Sequence, residues 1–257
     1  MGRTRFDLSG KVAIVTGAGR GIGKQISLGF AEQGADVVLC ARTKTQLDKV
    51  AEEIRKTGRR ALVLPIDMSK TNQFDGLVQK VRKDFGHIDV LVNNAGIAEL
   101  VPAAEVDEKH WDTVMDTNVR GPFFLSQKVG RVMIEQGKGG SIINITSEVV
   151  NFVEKAPLGA YTPSKAALHG VTKILAREWG QYGIRVNSLA PCFVRTEINA
   201  QVIESKNKEW YHNKLRDVPV GRMSVPEDLV GMAILLASDA STYISGTTLL
   251  CDGGYTT

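Results

Sequence analysis

The sequence predicts an α/β protein: a doubly wound parallel sheet of about seven strands with helices on both faces, three layers in a single domain over 1–257. Three observations predict it. Short runs rich in valine and isoleucine alternate with longer amphipathic segments almost from end to end, which is the rhythm of parallel strands joined by crossover helices. The short runs are apolar throughout, so their strands are buried on both faces. No Pro/Gly/Ser-rich linker, low-complexity run or short-period repeat divides the chain.

The first strand, 12–16, runs into Gly17-Ala18-Gly19-Arg20-Gly21-Ile22-Gly23, and a helix follows over 23–33. A glycine turn lets backbone N–H groups approach a pyrophosphate, and the helix N-terminus favours its negative charge. Its place between the first strand and the first helix of an alternating chain gives the turn its meaning. No Gly-Lys-Ser/Thr follows, so it is not the phosphate loop of an NTPase. The second strand, 36–40, ends in Val38-Leu39-Cys40-Ala41-Arg42. A carboxylate at that point would hold a ribose 2′-hydroxyl, whereas an arginine suits a 2′-phosphate, and Arg20 adds a second cation. The expected dinucleotide is therefore NADP, with NADPH preferred over NADH.

Further along, helices are expected over 44–56, 72–85, 111–135, 164–179 and 226–236, and strands over 61–64, 88–93, 141–146, 185–190 and 247–251. The longest break in this rhythm is 191–222, polar and charged and containing Trp210 and Tyr211, which is expected to form a lid over the site.

Composition narrows the function classes. With 43% hydrophobic and 23% charged residues the chain is of ordinary globular type, and no apolar run approaches the ~18 to 20 residues that cross a bilayer. The net charge of +4 is mild. Basic residues are interspersed with acids, as in Glu52-Glu53-Ile54-Arg55-Lys56, which reads as solvated helix faces and not as a nucleic-acid surface. The cysteines Cys40, Cys192 and Cys251 are odd in number and lack metal-ligand spacing, and His87, His110, His169 and His212 are scattered, so no metal site is expected. Residues 1–7 lack an apolar signal core, and a cytoplasmic location is the expectation.

Chemistry enters at 144–165. Ser147 closes the fifth strand, and Tyr161 and Lys165 lie four apart on one face of the next helix. Pro163 falls in that helix's first turn, where its missing N–H costs little. A phenol has a reference pKa of about 10, and a cation one turn away favours its ionised form. Such a tyrosine could exchange a proton with a carbonyl or alcohol oxygen, with the Ser147 hydroxyl as that oxygen's second partner. Hydride chemistry needs this group beside a nicotinamide, and the carboxyl end of a central strand is where such a site forms.

The glycine turn preceded by Thr16, Asn93-Asn94-Ala95-Gly96 after the fourth strand, Asn118, Ser147, and Tyr161 with Lys165 together resemble the short-chain dehydrogenase/reductase family, from about 10 to 254. The resemblance implies a Rossmann-type fold and a role for each matching position. Asn118 would hold a water in a proton relay toward Lys165, and Ser147 would orient the substrate oxygen. Tyr161 would be the general acid in reduction and the base in oxidation. Lys165 would bind the nicotinamide ribose and depress the tyrosine pKa. Gly17, Gly19, Gly21, Ile22 and Gly23 would cradle the pyrophosphate. Asn94, Ala95 and Gly96 would line the adenine-ribose side, and Asp67, followed by Met68, would meet the adenine. Thr196 and the backbone at Val194 would hold the carboxamide, with Pro191 a further cofactor-binding position. Cys192 replaces a usual glycine, so a positive φ there would be strained. Ser147 and Tyr161 are 14 apart, where many relatives have one fewer, so the loop around 148–158 is expected to bulge.

The resemblance also implies a homotetramer. It leaves the substrate open between gluconate-type and 3-oxoacyl-carrier types. The mixed polar and apolar loop 148–155 favours a small polar carbonyl or alcohol, such as a sugar acid or polyol. An acyl-carrier substrate would need a basic patch to which Arg120 and Arg131 could contribute. A regulator that binds NADP(H) without turnover is a third reading, opposed by the intact set of four.

Overall fold

The computed structural model of the chain describes residues 4–150, 157–196 and 215–257. The sheet contains β1 (Val12–Thr16), β2 (Asp36–Ala41), β3 (Ala61–Pro65), β4 (Val90–Asn93), β5 (Gly140–Ile145), β6 (Ile184–Pro191) and β7 (Thr248–Cys251). All seven are parallel, in the order β3-β2-β1-β4-β5-β6-β7. The helices are α1 (Gly21–Glu32), α2 (Lys44–Lys56), α3 (Phe74–Phe85), α4 (Glu108–Met115), α5 (Gly121–Gln136), α6 (Tyr161–Trp179) and α7 (Val230–Ala237).

Alternate residues of each strand serve different layers. Ala13 and Val15 of β1 join Ile26 and Phe30 of α1, Leu47 and Val50 of α2, and Ala233 and Leu236 of α7 on one face. Val12 and Ile14 join Phe74 and Leu77 of α3 and Leu125 and Val129 of α5 on the other. Helices cover both faces of the central strands, which is why these read as unbroken apolar runs. The chain winds outward from β1 to β3, then crosses back to β4 on the opposite side of β1. The connections leaving the carboxyl ends of β1 and β4 therefore diverge and open a crevice.

The one long helix expected over 111–135 is interrupted. Asp107 caps its start by accepting the His110 N–H at 2.7 Å, and α4 then gives way to a π-helical turn over Asp116–Arg120 before α5 begins. Pro122 supplies the reason, because it has no N–H for the carbonyl of Asn118 and its ring crowds that carbonyl, so the α-helical ladder cannot pass through. Trp111 is 39% exposed on α4.

Candidate functional site

The glycine turn between β1 and α1 is shaped by contacts that leave no room for a side chain at Gly17 or Gly23. Gly17 has φ 66°, and a Cβ there would lie 2.7 Å from Asn94 Nδ2 and 3.0 Å from the Ala95 Cα. A Cβ on Gly23 would run into the Gly17 carbonyl. Thr16 and Asn94 lock the turn to β4. The Thr16 hydroxyl donates to the Val92 carbonyl and accepts the N–H groups of Asn94 and Ala95, both at 3.0 Å, while Asn94 Nδ2 donates to the Thr16 carbonyl at 2.9 Å. Beneath it, Asn93 Nδ2 donates to Asn144 Oδ1, Asn144 Nδ2 to Thr172, and Thr172 meets Ser188. This buried ladder of polar side chains ties β4, β5, α6 and β6 together at the sheet centre.

A cleft of about 300 Å³ opens above the turn. Of the expected cofactor positions, Gly17, Gly19, Arg20, Gly21 and Ile22 line one wall. Arg42, Asp67 and Met68 line the next, and Asn94, Ala95, Gly96 and Thr196 close it. Gly23 lies below the wall, and Pro191 and Val194 lie off it: Pro191 pairs with Cys251 at the end of β6, and Val194 bridges to Ser224. Asp67 keeps its carboxyl below the usual range: burial works against this, but hydrogen bonds from Ser69 and the charges of Arg42 and Lys70 outweigh it. The cleft also includes Thr43, Gln46, Ile66, Ile97 and Thr117, which motif reading missed. Thr43 and Gln46 had a signal: they form the start of α2, a helix N-terminus beside Arg42.

At the carboxyl end of β5 the site is made of side chains. Ser147 is buried, and α6 brings Tyr161 and Lys165 against it. Lys165 Nζ donates to the Ile145 carbonyl at 2.9 Å and stands 5.6 Å from the centre of the Tyr161 ring. The π-helical turn puts Asn118 inward. Its Oδ1 accepts the Ile97 N–H at 2.9 Å, and its Nδ2 donates to the Ile97 carbonyl at 2.9 Å and to Ser164 at 3.0 Å. A Cβ on Gly96 would lie 3.2 Å from Asn118 Oδ1 and 3.5 Å from Lys165 Nζ, so these two groups flank one point of the backbone.

Electrostatics depart from expectation at Tyr161. Its phenol is not depressed by Lys165: burial pushes it up to about 12, the Ser147 hydroxyl lowers it in part, and the carboxylate of Glu148 raises it again. Burial also brings the Lys165 ammonium down to about 8, with Glu148 working the other way. Glu148 was not singled out by any motif. It is buried, and its Oε2 accepts the Ser147 hydroxyl at 2.6 Å.

Strain in the loop after β6 also falls elsewhere than expected. Cys192 has an ordinary backbone, while Phe193 carries φ 25°, the one positive value outside glycine among the described residues. Its ring packs edge-on against Tyr255, with centroids 5.1 Å apart. Of the expected lid at 191–222, residues 197–214 lie outside the described residues, Trp210 and Tyr211 included. Residues 151–156 of the expected bulge lie outside them too, while 148–150 form a single 3₁₀ turn.

Residues 17–256 match a family model described as Enoyl-(acyl carrier protein) reductase. The chain belongs to the short-chain dehydrogenase/reductase family. It is 41% identical to a 2-dehydro-3-deoxy-D-gluconate 5-dehydrogenase of Dickeya dadantii, covering 97% of each chain. It is 38% identical to an NAD-dependent glycerol dehydrogenase of Listeria innocua, over 98% of this chain and 96% of the other. The structure of a gluconate 5-dehydrogenase from Burkholderia cenocepacia in complex with NADP and tartrate superimposes with a TM-score of 0.90 at 36% identity, covering 98% of this chain and 97% of that one. As a short-chain dehydrogenase/reductase, the chain is an oxidoreductase acting on the CH–OH group. Among the described residues no helix is long and apolar enough to cross a membrane, and no group of three or more His, Cys, Asp or Glu could hold a metal.

Proposed function

We propose that this enzyme interconverts a ketone and a secondary alcohol on a small polar molecule, a sugar acid or polyol, with NADP(H) as cofactor and Tyr161 as general acid and base. The observation that carries the reading is the meeting of Tyr161, Ser147 and Lys165 at the carboxyl end of β5, beside a cleft whose turn leaves no room for a Cβ at Gly17 or Gly23. The residues present fit the dinucleotide: a side-chain-free turn for the pyrophosphate, Arg20 and Arg42 on the wall for a 2′-phosphate, and Asp67 on the adenine side. NADP(H), when bound, donates or accepts the hydride.

The protein's own groups handle the oxygen. In reduction the Tyr161 hydroxyl donates its proton to the substrate oxygen as negative charge develops there, while the Ser147 hydroxyl donates a second hydrogen bond to the same oxygen. Lys165, charged below about pH 8, stands 5.6 Å from the centre of the Tyr161 ring, where it is placed to bind the nicotinamide ribose. Asn118 holds the backbone at Ile97 and keeps the floor of the site fixed beside Lys165. In oxidation Tyr161 takes the proton back. Pro191, Val194 and Thr196 border the nicotinamide side.

The substrate class rests on the sugar-acid and polyol dehydrogenases that this chain resembles. For a homotetramer speak β7, the end strand of the sheet among the described residues, and exposed Leu250 and Tyr243, and light scattering on the purified protein tests it. The functional test is NADPH oxidation, with NADH in parallel, across keto-sugar acids, ketones derived from polyols and 3-oxoacyl thioesters. Turnover of the first two classes that prefers NADPH and is lost in Tyr161→Phe is the expected result. NADPH binding without turnover of any ketone, or a Tyr161→Phe variant as fast as wild type, would overturn it.

A further inference from the structure

Glu148 is a buried carboxylate at the reaction centre. It follows Ser147 directly, is 6% exposed, and accepts the Ser147 hydroxyl at 2.6 Å. From α6, Tyr161 and Lys165 face it closely enough for its charge to bear on both. A carboxylate in such a place is costly to keep unless its lone pairs are met by donors.

Catalysis takes one of those donors away. When Ser147 turns its hydroxyl to a substrate oxygen, the 2.6 Å bond to Glu148 is given up. Two oxygens on neighbouring carbons are separated by about the length of a hydrogen bond, and so are Ser147 Oγ and Glu148 Oε2. A substrate whose reacting oxygen sits on Ser147 would therefore bring the hydroxyl of its next carbon to Glu148. We propose that Glu148 is a specificity-determining residue that accepts a hydrogen bond from a substrate hydroxyl on the carbon next to the reacting one, selecting vicinal diols and α-hydroxy ketones over their plain counterparts.

The proposal rests on the alcohol–ketone reading of the same site and narrows it. The same charge excludes a class, since a carboxylate on the neighbouring carbon, as in a 2-oxo acid, would face Glu148 as a like charge. A sugar acid fits only when its carboxylate lies further along the chain from the reacting carbon.

The test is NADPH consumption by wild type, Glu148→Gln and Tyr161→Phe on a matched pair, 3-hydroxy-2-butanone and 2-butanone. Wild type should favour the hydroxy ketone in kcat/KM by about a hundredfold, since a site built around a substrate hydroxyl rejects the analogue that lacks it. In Glu148→Gln the ratio should narrow by about tenfold or more, because a charge-assisted bond becomes a neutral one. A wild-type ratio near one overturns the proposal without recourse to any variant, and so does a ratio unchanged in Glu148→Gln. In either case, loss of both activities in Tyr161→Phe leaves the alcohol–ketone reading standing. If Tyr161→Phe turns over the hydroxy ketone as fast as wild type, that reading falls and takes the proposal with it.

Discussion

Between β1 and α1 the site is built from backbone: glycines at 17, 19, 21 and 23, two of them with positive φ, and a threonine and an asparagine that pin the turn to β4. Between β5 and α6 it is built from buried side chains, with Ser147, Glu148, Tyr161 and Lys165 held among one another. On the proposed reading the first region recognises a fixed ligand by shape and by N–H groups that carry no pKa. The second must change its protonation during turnover, so it concentrates charge where burial is expensive. One region should respond to substitution through binding and folding, and the other through rate and pH.

The strongest test of that contrast is Tyr161→Phe. Removing the proton donor while keeping the ring should lower kcat by about 10³ to 10⁴. The fluorescence-detected Kd for NADPH should stay within about twofold, because the glycine turn is untouched. A Kd that rises in step with the loss of kcat would show that the two regions are one.

Next in size is the cost of holding Lys165 as a cation. Its pKa is about 8 in the fold against 10.5 when free. Below about pH 8 it is protonated in both folded and unfolded chains, and folding bears the whole desolvation penalty. Between about 8 and 10.5 the unfolded chain binds the extra proton, so stability rises with pH in this window. Tyr161, raised from 10 to about 12, keeps its contribution below pH 10 and loses it between 10 and 12, but it is present in both chains and cancels in a comparison of Lys165→Met with wild type. The stability of Lys165→Met relative to wild type should accordingly fall by about 3 kcal/mol as pH climbs from 8 to 10.5 in urea titrations. A difference that is flat with pH would mean that Lys165 is not buried as a charge.

The contrast also explains what the sequence discloses. The parallel sheet follows from the apolar runs and the helix-length segments between them, and the glycine turn is visible because its glycines answer local demands, as Gly17 does against Asn94. Asn118 and Lys165 were found, but the means by which Asn118 turns inward was not, although Pro122 stands four residues after it. Glu148 shows a different limit. It sits next to Ser147 in the chain, yet a glutamate in a loop has no periodicity that reports burial, and only packing against α6 makes its charge matter. The phenol of Tyr161 was expected low from its neighbour in sequence and is high because of the volume around it. Strain after β6 was expected at Cys192 and falls on Phe193, since the sequence shows a missing glycine but not which peptide turns.

On the backbone side, Arg42 is the principal side chain asked to select a ligand. Arg42→Ala should weaken NADPH by about tenfold to a hundredfold while leaving NADH nearly unchanged, the range for a lost charge-assisted bond. Equal loss for both dinucleotides would assign Arg42 to the wall and not to the 2′-phosphate. An unaltered NADPH Kd would transfer that role to Arg20.

The smallest effect should come from Gly21→Ala, and it separates backbone shape from space. Gly21 has φ 55°, and a Cβ there would meet Thr196 Cγ2 at 3.5 Å, an ordinary contact. The alanine therefore costs only the left-handed backbone, about 1–2 kcal/mol, read as a lower midpoint in urea with an unchanged slope. Gly17→Ala should cost more, since its Cβ adds a 2.7 Å approach to Asn94 Nδ2 to the same kind of strain. Because the methyl at Gly21 points to Thr196, the turn keeps its N–H groups in place, and kcat and the NADPH Kd should stay close to wild type. If Gly21→Ala instead weakens NADPH strongly at unchanged stability, the turn relaxes to a negative φ and gives up the ligand to escape the strain.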